Sequence, residues 1–482
     1  MNKKQMYGFL DETKATLFDI SDRIWEYAET SFEEFRSSGA LVSYLAENGF
    51  TIEQNVAGIE TAFCATWGSG SPVIGILAEY DALAAMSQVA GKCSKEELTP
   101  NGNGHGCGHN HFGTASSGAA VAVKKYMEAN GRQGTVKLFG CPAEENGSGK
   151  AFMARGGAFN GLDVAFAWHP FDVNFVWNFS TLANYQVLYK FKGIASHAAQ
   201  SPHKGRSALD AVELMNVGVN FLREHVIQEA RIHYAITNAG GFSPNVVQPK
   251  ADVLYLIRAP KSPQVEEIYQ RVNKIAQGAA LMTETEMEIQ FVKACANVIS
   301  NKTLSGVMYE NFKELALPVY TQEEQAFAKE IKASLPYAEY NLKAQCPYLP
   351  EDLLTQYSAI LRKKELCDIL IPFDKSFPDT LLPASTDVGD VSWNTPTAQV
   401  GTACFALGTP MHSWQLVSQG KSSVAHKGLL LAAKIIAGSA VDCLESPEIV
   451  KSAKEELTKK LGGETYKVAI PDSVNPVSVG KL

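Results

Sequence analysis

Val73-Ile74-Gly75-Ile76-Leu77-Ala78-Glu79-Tyr80-Asp81 is the stretch on which the fold turns. Its first six residues are a continuous apolar run of strand length, as expected of a strand covered on both faces. A strand buried in this way needs neighbours of the same kind. Residues 136–141 and 164–168 repeat the pattern, and between the first and second lies a helix read over 113–130 and ended by Asn130-Gly131. Strands alternating with helices argue for an α/β domain with a mixed, largely parallel sheet. Upstream, Phe9, Leu17, Ile20, Ile24 and Trp25, then Phe35, Leu41, Val42 and Leu45, fall near helical spacing, and Asn48-Gly49 closes the second helix. Downstream, a strand ending at Leu407 and a helix over 426–437 return to the same layer.

The middle reads differently. Residues 186–191, 251–258 and 284–291 alternate in polarity, with helices over 207–226 and 265–279 between them. That β-α-β-α-β set is large enough for a sheet of its own. The expectation is a discontinuous catalytic domain, residues 1–185 and 301–482, interrupted by an inserted domain at 186–300. Residues 315–380 mix charge, proline and aromatics without a clean period and support no assignment.

Composition narrows the function. At 482 residues the chain has room for two domains, and with 45% hydrophobic and 20% charged residues it can bury a large core. Lys and Arg number 43 against 51 Asp and Glu, a net charge of −8, which is a poor basis for binding nucleic-acid phosphates. No apolar run approaches the roughly 18 residues needed to cross a bilayer. The start, Met1-Asn2-Lys3-Lys4, is followed by no apolar segment, so no signal peptide is read. Nine cysteines, an odd number, form no disulfide framework. The expectation is a cytoplasmic, globular enzyme with neither nucleic acid nor membrane as partner.

An open α/β sheet places its ligands just past the carboxyl ends of its strands. Glu79-Tyr80-Asp81 follows the first strand, Glu144-Glu145 the second and His169 the third. Cys107-Gly108-His109-Asn110-His111 sits in a Gly/Asn-rich loop before a helix, and His412 follows the strand ending at Leu407. Thiolate, imidazole and carboxylate converging on one sheet edge outline a metal site, with donors that suit Zn²⁺. Cys64, Cys295, Cys404 and Cys443 read as core packing. Cys107 differs, because its glycine-rich loop offers little core to pack into. His105 and His111 read as bystanders, and His225 and His233 as surface or packing residues on or beside a helix. Gly147-Ser148-Gly149-Lys150 is no phosphate loop, since Glu144 stands where the leading glycine is required. Neither His-Glu-x-x-His nor Gly-x-Ser-x-Gly occurs.

Six motifs occur in order: Gly104-His105-Gly106-Cys107-Gly108-His109-Asn110, Pro142-Ala143-Glu144-Glu145, Trp168-His169, Gly193-Ile194-Ala195-Ser196-His197-Ala198, Asn245-Val246-Val247 and Met411-His412-Ser413. Together they resemble the amidohydrolase branch of the dinuclear metallopeptidase family that includes aminoacylase and carboxypeptidase G. Residues 25–35, with Glu29 and Glu33-Glu34, are similar to that branch's N-terminal signature, and the likeness runs from about residue 10 to 437. The resemblance implies a zinc-peptidase-like catalytic domain with an inserted α+β lid that also dimerises. It implies two divalent metal ions per chain, Zn²⁺ or Mn²⁺, held by Cys107, His109, Glu145, His169 and His412, with Cys107 bridging. It further implies Glu144 as general base, His197 as a donor to the transition state, and Asn245 and Arg258 as substrate-binding residues.

The implied reaction is hydrolysis of an N-acyl amino acid amide. Residues 77–83, the long loop to Cys107, 384–393 and 413–420 resemble branch members that split p-aminobenzoyl-glutamate into p-aminobenzoate and glutamate. The implied assembly is a homodimer, or a heterodimer with a related but distinct subunit. Two alternatives stand beside it: a dipeptidase of the β-alanyl-lysine type, which shares the 79–83 pattern, and a metal-binding partner subunit without chemistry of its own. Two positions depart from the branch. Asn110 stands where most members have Asp, and Glu79 replaces the Asp usual in the first strand motif.

Overall fold

The apolar run at 73–78 becomes the strand Val73–Glu79, which is central. It pairs in parallel with Gly134–Cys141 on one side and with Val164–Phe171 on the other. Ile74, Ile76, Leu77 and Ala78 are fully buried, as a strand covered on both faces requires. The computed structural model describes residues 1–335 and 340–476. Thr397–Ala403 adds in parallel beyond Val164–Phe171, and antiparallel strands finish the sheet: Phe63–Ser69 and Thr51–Gln54 at one edge, Phe175–Trp177 at the other. The carboxyl ends of the four parallel strands therefore open on one edge.

The last parallel strand lies earlier than the sequence predicts. Thr397, Gln399 and Thr402 are buried within it and break its apolar run, whereas the apolar Phe405, Ala406 and Leu407 pack into the core from a loop. Val164–Phe171 runs past Trp168, so His169 sits within the strand rather than after it.

Three long helices, Lys3–Tyr27, His109–Asn130 and Ser423–Glu445, pack against one another, and the second lies on Val73–Glu79. That second helix begins at His109, four residues before the predicted start. Gly108 caps it at φ +78°, and a Cβ there would stand 2.7 Å from Pro170 Cγ, so both backbone and space demand glycine.

The inserted segment forms a four-stranded antiparallel sheet in the order Glu286–Cys295, Ala183–Lys192, Lys250–Ala259, Arg231–Asn238. Helices Ala208–Leu222 and Ser262–Thr283 pack on it. Its pattern is β-α-β-β-α-β, with one strand more than expected. Arg231–Asn238 is an edge strand in which Ile232 alone is buried, so it carries no alternation to read. His225 ends a short 3₁₀ helix that continues Ala208–Leu222, beside a helix as expected, whereas His233 lies in the edge strand, which corrects its placement.

Within 315–380, described residues gather around a second small core. Helices Gln322–Ala333 and Glu351–Leu361 form, and Thr380–Leu382 pairs in parallel with Phe179–Thr181. Val173, Phe175, Trp177, Tyr348 and Ile371 pack together in that core. Glu351–Leu361 fully buries Leu361 alone, too narrow a stripe to show as a helical period. Among the described residues no helix is long and apolar enough to cross a membrane.

Candidate metal centre and active site

The parallel strands carry their chemistry to one edge. Glu79 ends the first, Pro142-Ala143-Glu144-Glu145 follows the second, His169 lies in the third, and His412 stands on the loop after the fourth. Cys107 and His109 arrive from the loop and first turn ahead of the long helix. Two groups of three share one sulfur. Cys107, His109 and His169 form the first and Cys107, Glu145 and His412 the second, with the ligand atoms of each group within 4.8 Å of one another. A third group brings Glu79 and Glu144 to His109.

Hydrogen bonds orient these side chains. His109 Nδ1 lies 2.8 Å from Asp81 Oδ1, which leaves Nε2 facing the group, and Asp81 Oδ2 accepts from the Glu145 N–H at 2.9 Å. One carboxylate thus fixes two candidate ligands. His169 Nδ1 donates to the Pro170 carbonyl at 2.9 Å, so its Nε2 lone pair points to Cys107 Sγ at 3.4 Å. Burial, then the neighbouring His109, pushes the His169 imidazolium down to about 3, so the ring is neutral and able to ligate. His412 Nε2 lies 3.3 Å from Glu145 Oε2, and this contact holds the His412 pKa above its usual value. The His412 N–H donates to the Gly106 carbonyl at 2.8 Å, tying its loop to that of Cys107.

The residues fit a metal centre. His109 Nε2 and Glu145 Oε1 are buried without a hydrogen-bond partner, although Glu79 Oε2 stands 3.2 Å from the former. Buried polar atoms are rarely left so. A cation would satisfy both, and sulfur, imidazole and carboxylate form a donor set for Zn²⁺ or Mn²⁺.

The other predicted residues lie elsewhere. Arg258 Nη1 donates to Ser385 Oγ at 2.8 Å, which ties the inserted sheet to the 384–393 segment. His197 and Asn245 are together and exposed: the Ala198 N–H donates to the Asn245 carbonyl at 2.9 Å, and His197 pairs with Val246 as an isolated bridge. Among the described residues no hydrogen bond or ion pair joins either to the Cys107 groups. His105 and His111 are buried against the first helix, on the Ile24 carbonyl at 3.0 Å and Ser21 Oγ at 2.8 Å. Cys64, Cys295, Cys404 and Cys443 are buried and free.

The profile of peptidase family M20/M25/M40 matches residues 75–325. The chain is 48% identical over 478 residues, 98% of its own length and 99% of the relative's, to one of the subunits of p-aminobenzoyl-glutamate hydrolase in Escherichia coli K12.

The chain belongs to peptidase family M20/M25/M40.

A more distant relative in curated proteins is the Xaa-Arg dipeptidase of Mus musculus, 28% identical over 96% of this chain and 93% of that protein. Among solved structures, an aminobenzoyl-glutamate utilization protein from Klebsiella pneumoniae has the same fold, with a TM-score of 0.52 at 17% identity over 68% of this chain and 91% of that one. A dinuclear metal-binding M20 peptidase from Bacillus subtilis matches with a TM-score of 0.53 at 17% identity over 90% and 99%. This M20-family chain is accordingly an α/β hydrolase of amide bonds with a separate inserted domain.

Two residues of this site escaped the sequence reading. Lys150 is fully buried, with Nζ 2.6 Å from Glu79 Oε1 and 2.7 Å from Asp387 Oδ1, and its N–H donates to Asp387 Oδ2 at 2.8 Å. Glu79 links this ion group to His109, and the longer side chain at this position is what spans from Lys150 to the imidazole. Asp387 lies in the 384–393 motif, which was the available signal. Lys150 had none, because its neighbours resemble a failed phosphate loop. Removing one partner of a buried ion pair costs about 3–5 kcal/mol. Lys150→Met is therefore expected to lower the thermal unfolding midpoint sharply, and an unchanged midpoint would show that Glu79 and Asp387 tolerate burial without it.

Asn110 does not orient His109. Its amide nitrogen donates instead to Ser21 Oγ at 3.1 Å and the Gly420 carbonyl at 3.3 Å, pinning the start of its helix to Lys3–Tyr27 and to the turn at Gly420. Asp81 supplies the carboxylate.

Proposed function

We propose that this chain hydrolyses the amide bond of an N-acyl amino acid, with p-aminobenzoyl-glutamate giving p-aminobenzoate and glutamate. The two groups sharing Cys107, with Glu144 beside them, carry the reading, and the Escherichia coli relative's name supports the substrate. Cys107, His109, Glu145, His169 and His412 would hold two divalent cations, Zn²⁺ or Mn²⁺, Cys107 belonging to both groups of ligands. When bound, such a pair lowers the pKa of a shared water and polarises the scissile carbonyl. Glu144 takes the water's proton and returns it to the leaving nitrogen as the C–N bond breaks and the C–O bond forms. Arg258 grips the carboxylate of the amino acid with its planar fork, and Asn245 steadies the same end. His197 donates to the oxyanion.

The inserted domain, residues 186–300, serves as lid and dimer interface, while 1–185 and 301–482 form the catalytic domain. Its edge strand exposes Tyr234 and Ile236, and the helix beside it leaves Phe221 71% exposed, an apolar face suited to a second copy or to a related but distinct subunit. The two subunits of the Escherichia coli hydrolase, both relatives of this chain, support the second possibility. The chain works in the cytoplasm.

The deciding assay is p-aminobenzoate release by the metal-loaded chain, alone and mixed with the related subunit. Cleavage of β-alanyl-lysine without cleavage of p-aminobenzoyl-glutamate would make it a dipeptidase, the reading favoured by the mouse relative. Turnover only in the mixture, and unaffected by Glu144→Gln in this chain, would make it a non-catalytic partner. Cys107→Ala is expected to lower occupancy of both ions, because each loses a ligand. Elemental analysis checks this, and one ion per fully loaded wild-type chain would refute a dinuclear centre.

A further inference from the structure

The main chain of Glu145 is held from two sides. Its N–H donates to Asp81 Oδ2 at 2.9 Å, and its carbonyl accepts from Lys293 Nζ of the inserted sheet at 3.2 Å. Lys293 is buried and, among the described residues, makes no ion pair and no other hydrogen bond. Further bonds join the inserted segment to the rest of the chain, such as Ser180 Oγ to the Val298 carbonyl and Arg258 to Ser385. Among the described residues only the bond from Lys293 reaches a proposed metal ligand.

The sheet is shifted to bring Lys293 there. Along Glu286–Cys295, Phe291 lies opposite Val187, and its ring packs against Tyr185 and Tyr269 on the helix-covered face. Regular alternation would return residue 293 to that face. Instead Val292 is an extra residue, and the register moves so that Lys293 lies opposite Gln186. The bulge turns its side chain away from the helices, toward Glu145. A buried ammonium on one neutral carbonyl is a costly way to stabilise a fold. We propose that Lys293 is a positioning residue for the metal centre: from the inserted domain it fixes the Glu145 main chain, so that the Glu145 carboxylate ligates and Glu144 stays beside it. The proposal rests on the amide-hydrolase reading and adds the contact through which the inserted domain bears on the ligands.

Zinc affinity of the full chain, measured by chelator competition without substrate, tests it. Lys293→Met, apolar and of similar length, is expected to weaken zinc binding about 10–100-fold, the usual loss for a partner behind a ligand. Lys293→Arg keeps a charged donor and should recover most of the affinity. Ser180→Ala removes a bond to the inserted segment away from the ligands and should leave zinc binding unchanged. The unfolding midpoint of each metal-free variant verifies the fold. Where p-aminobenzoyl-glutamate is hydrolysed, Lys293→Met should lower kcat with little change in KM. If zinc binds the wild type but nothing is hydrolysed, the hydrolase reading fails, while weakening by Lys293→Met and recovery by Lys293→Arg still support the role. A wild type that binds no zinc removes the metal centre and this role together. Unchanged zinc affinity in Lys293→Met, an equal loss in Lys293→Arg, or a loss matched by Ser180→Ala would each overturn the role even with hydrolysis intact.

Discussion

Glu144→Gln is expected to lower kcat by about 10²–10⁴-fold, the usual loss for a general base, while metal content and fold persist. Glu144 lies with Glu79 beside His109 but in neither of the groups built on Cys107, so its removal strips no proposed ligand from them. In the metal-free chain burial, followed by the charges of Glu79, Asp387 and Glu145, raises its carboxyl, and the positive charge of two cations beside it would oppose that shift and keep the base ionised. Its position is also constrained. Ala143, just before it, is in the left-handed region at φ +57°, and the Ala143 N–H donates to the buried Glu34 Oε1 at 3.1 Å. A non-glycine residue held in that region is a strain found where geometry matters. Glutamine preserves the shape and cannot take the proton. Single-turnover release of p-aminobenzoate with parallel elemental analysis reads both properties, and a variant retaining more than a tenth of wild-type turnover with full metal content would remove Glu144 from the role.

His197→Ala is expected to cost about 10²–10³-fold in kcat, with metal content unchanged, as loss of one oxyanion donor does. His197 Nδ1 accepts from the Gln200 N–H at 3.1 Å and from the Ala199 N–H at 3.3 Å. The neutral ring therefore carries its proton on Nε2, the atom free to donate outward. The side chain is exposed and unattached to the Cys107 groups of its own chain, while the apolar face of the inserted domain offers a surface for a second copy. The proposed dimer would let His197 act in the site of a partner chain. Mixing inactive His197→Ala with inactive Glu144→Gln should restore a sizeable part of the activity, because a hybrid dimer pairs one intact base with one intact donor. No recovery in dimers demonstrated to be hybrid would put His197 in the site of its own chain. A fully active His197→Ala would remove it from catalysis.

The central strand, the buried long helix, the inserted sheet and the candidate ligands were legible because each is marked locally. A six-residue apolar run is short for a helix and suits a strand buried on both faces inside a sheet. Cysteine, histidine and carboxylate just past such strands need no knowledge of contacts to stand out. The edge strand Arg231–Asn238 and the helix Glu351–Leu361 bury too little to leave a period, so they appeared only in three dimensions.

Partners across long separations were likewise hidden. Asp81 orients His109 across 28 residues, and Lys150 meets Asp387 across 237. Asn110 sits next to His109 in sequence yet serves the helix packing instead. Local patterning decides which residue types can do chemistry and which segments form strands, since both depend on a few neighbouring side chains. Which carboxylate holds which imidazole, and which lysine neutralises them, depends on the order in which strands pair, and that order is settled by the burial of the whole sheet.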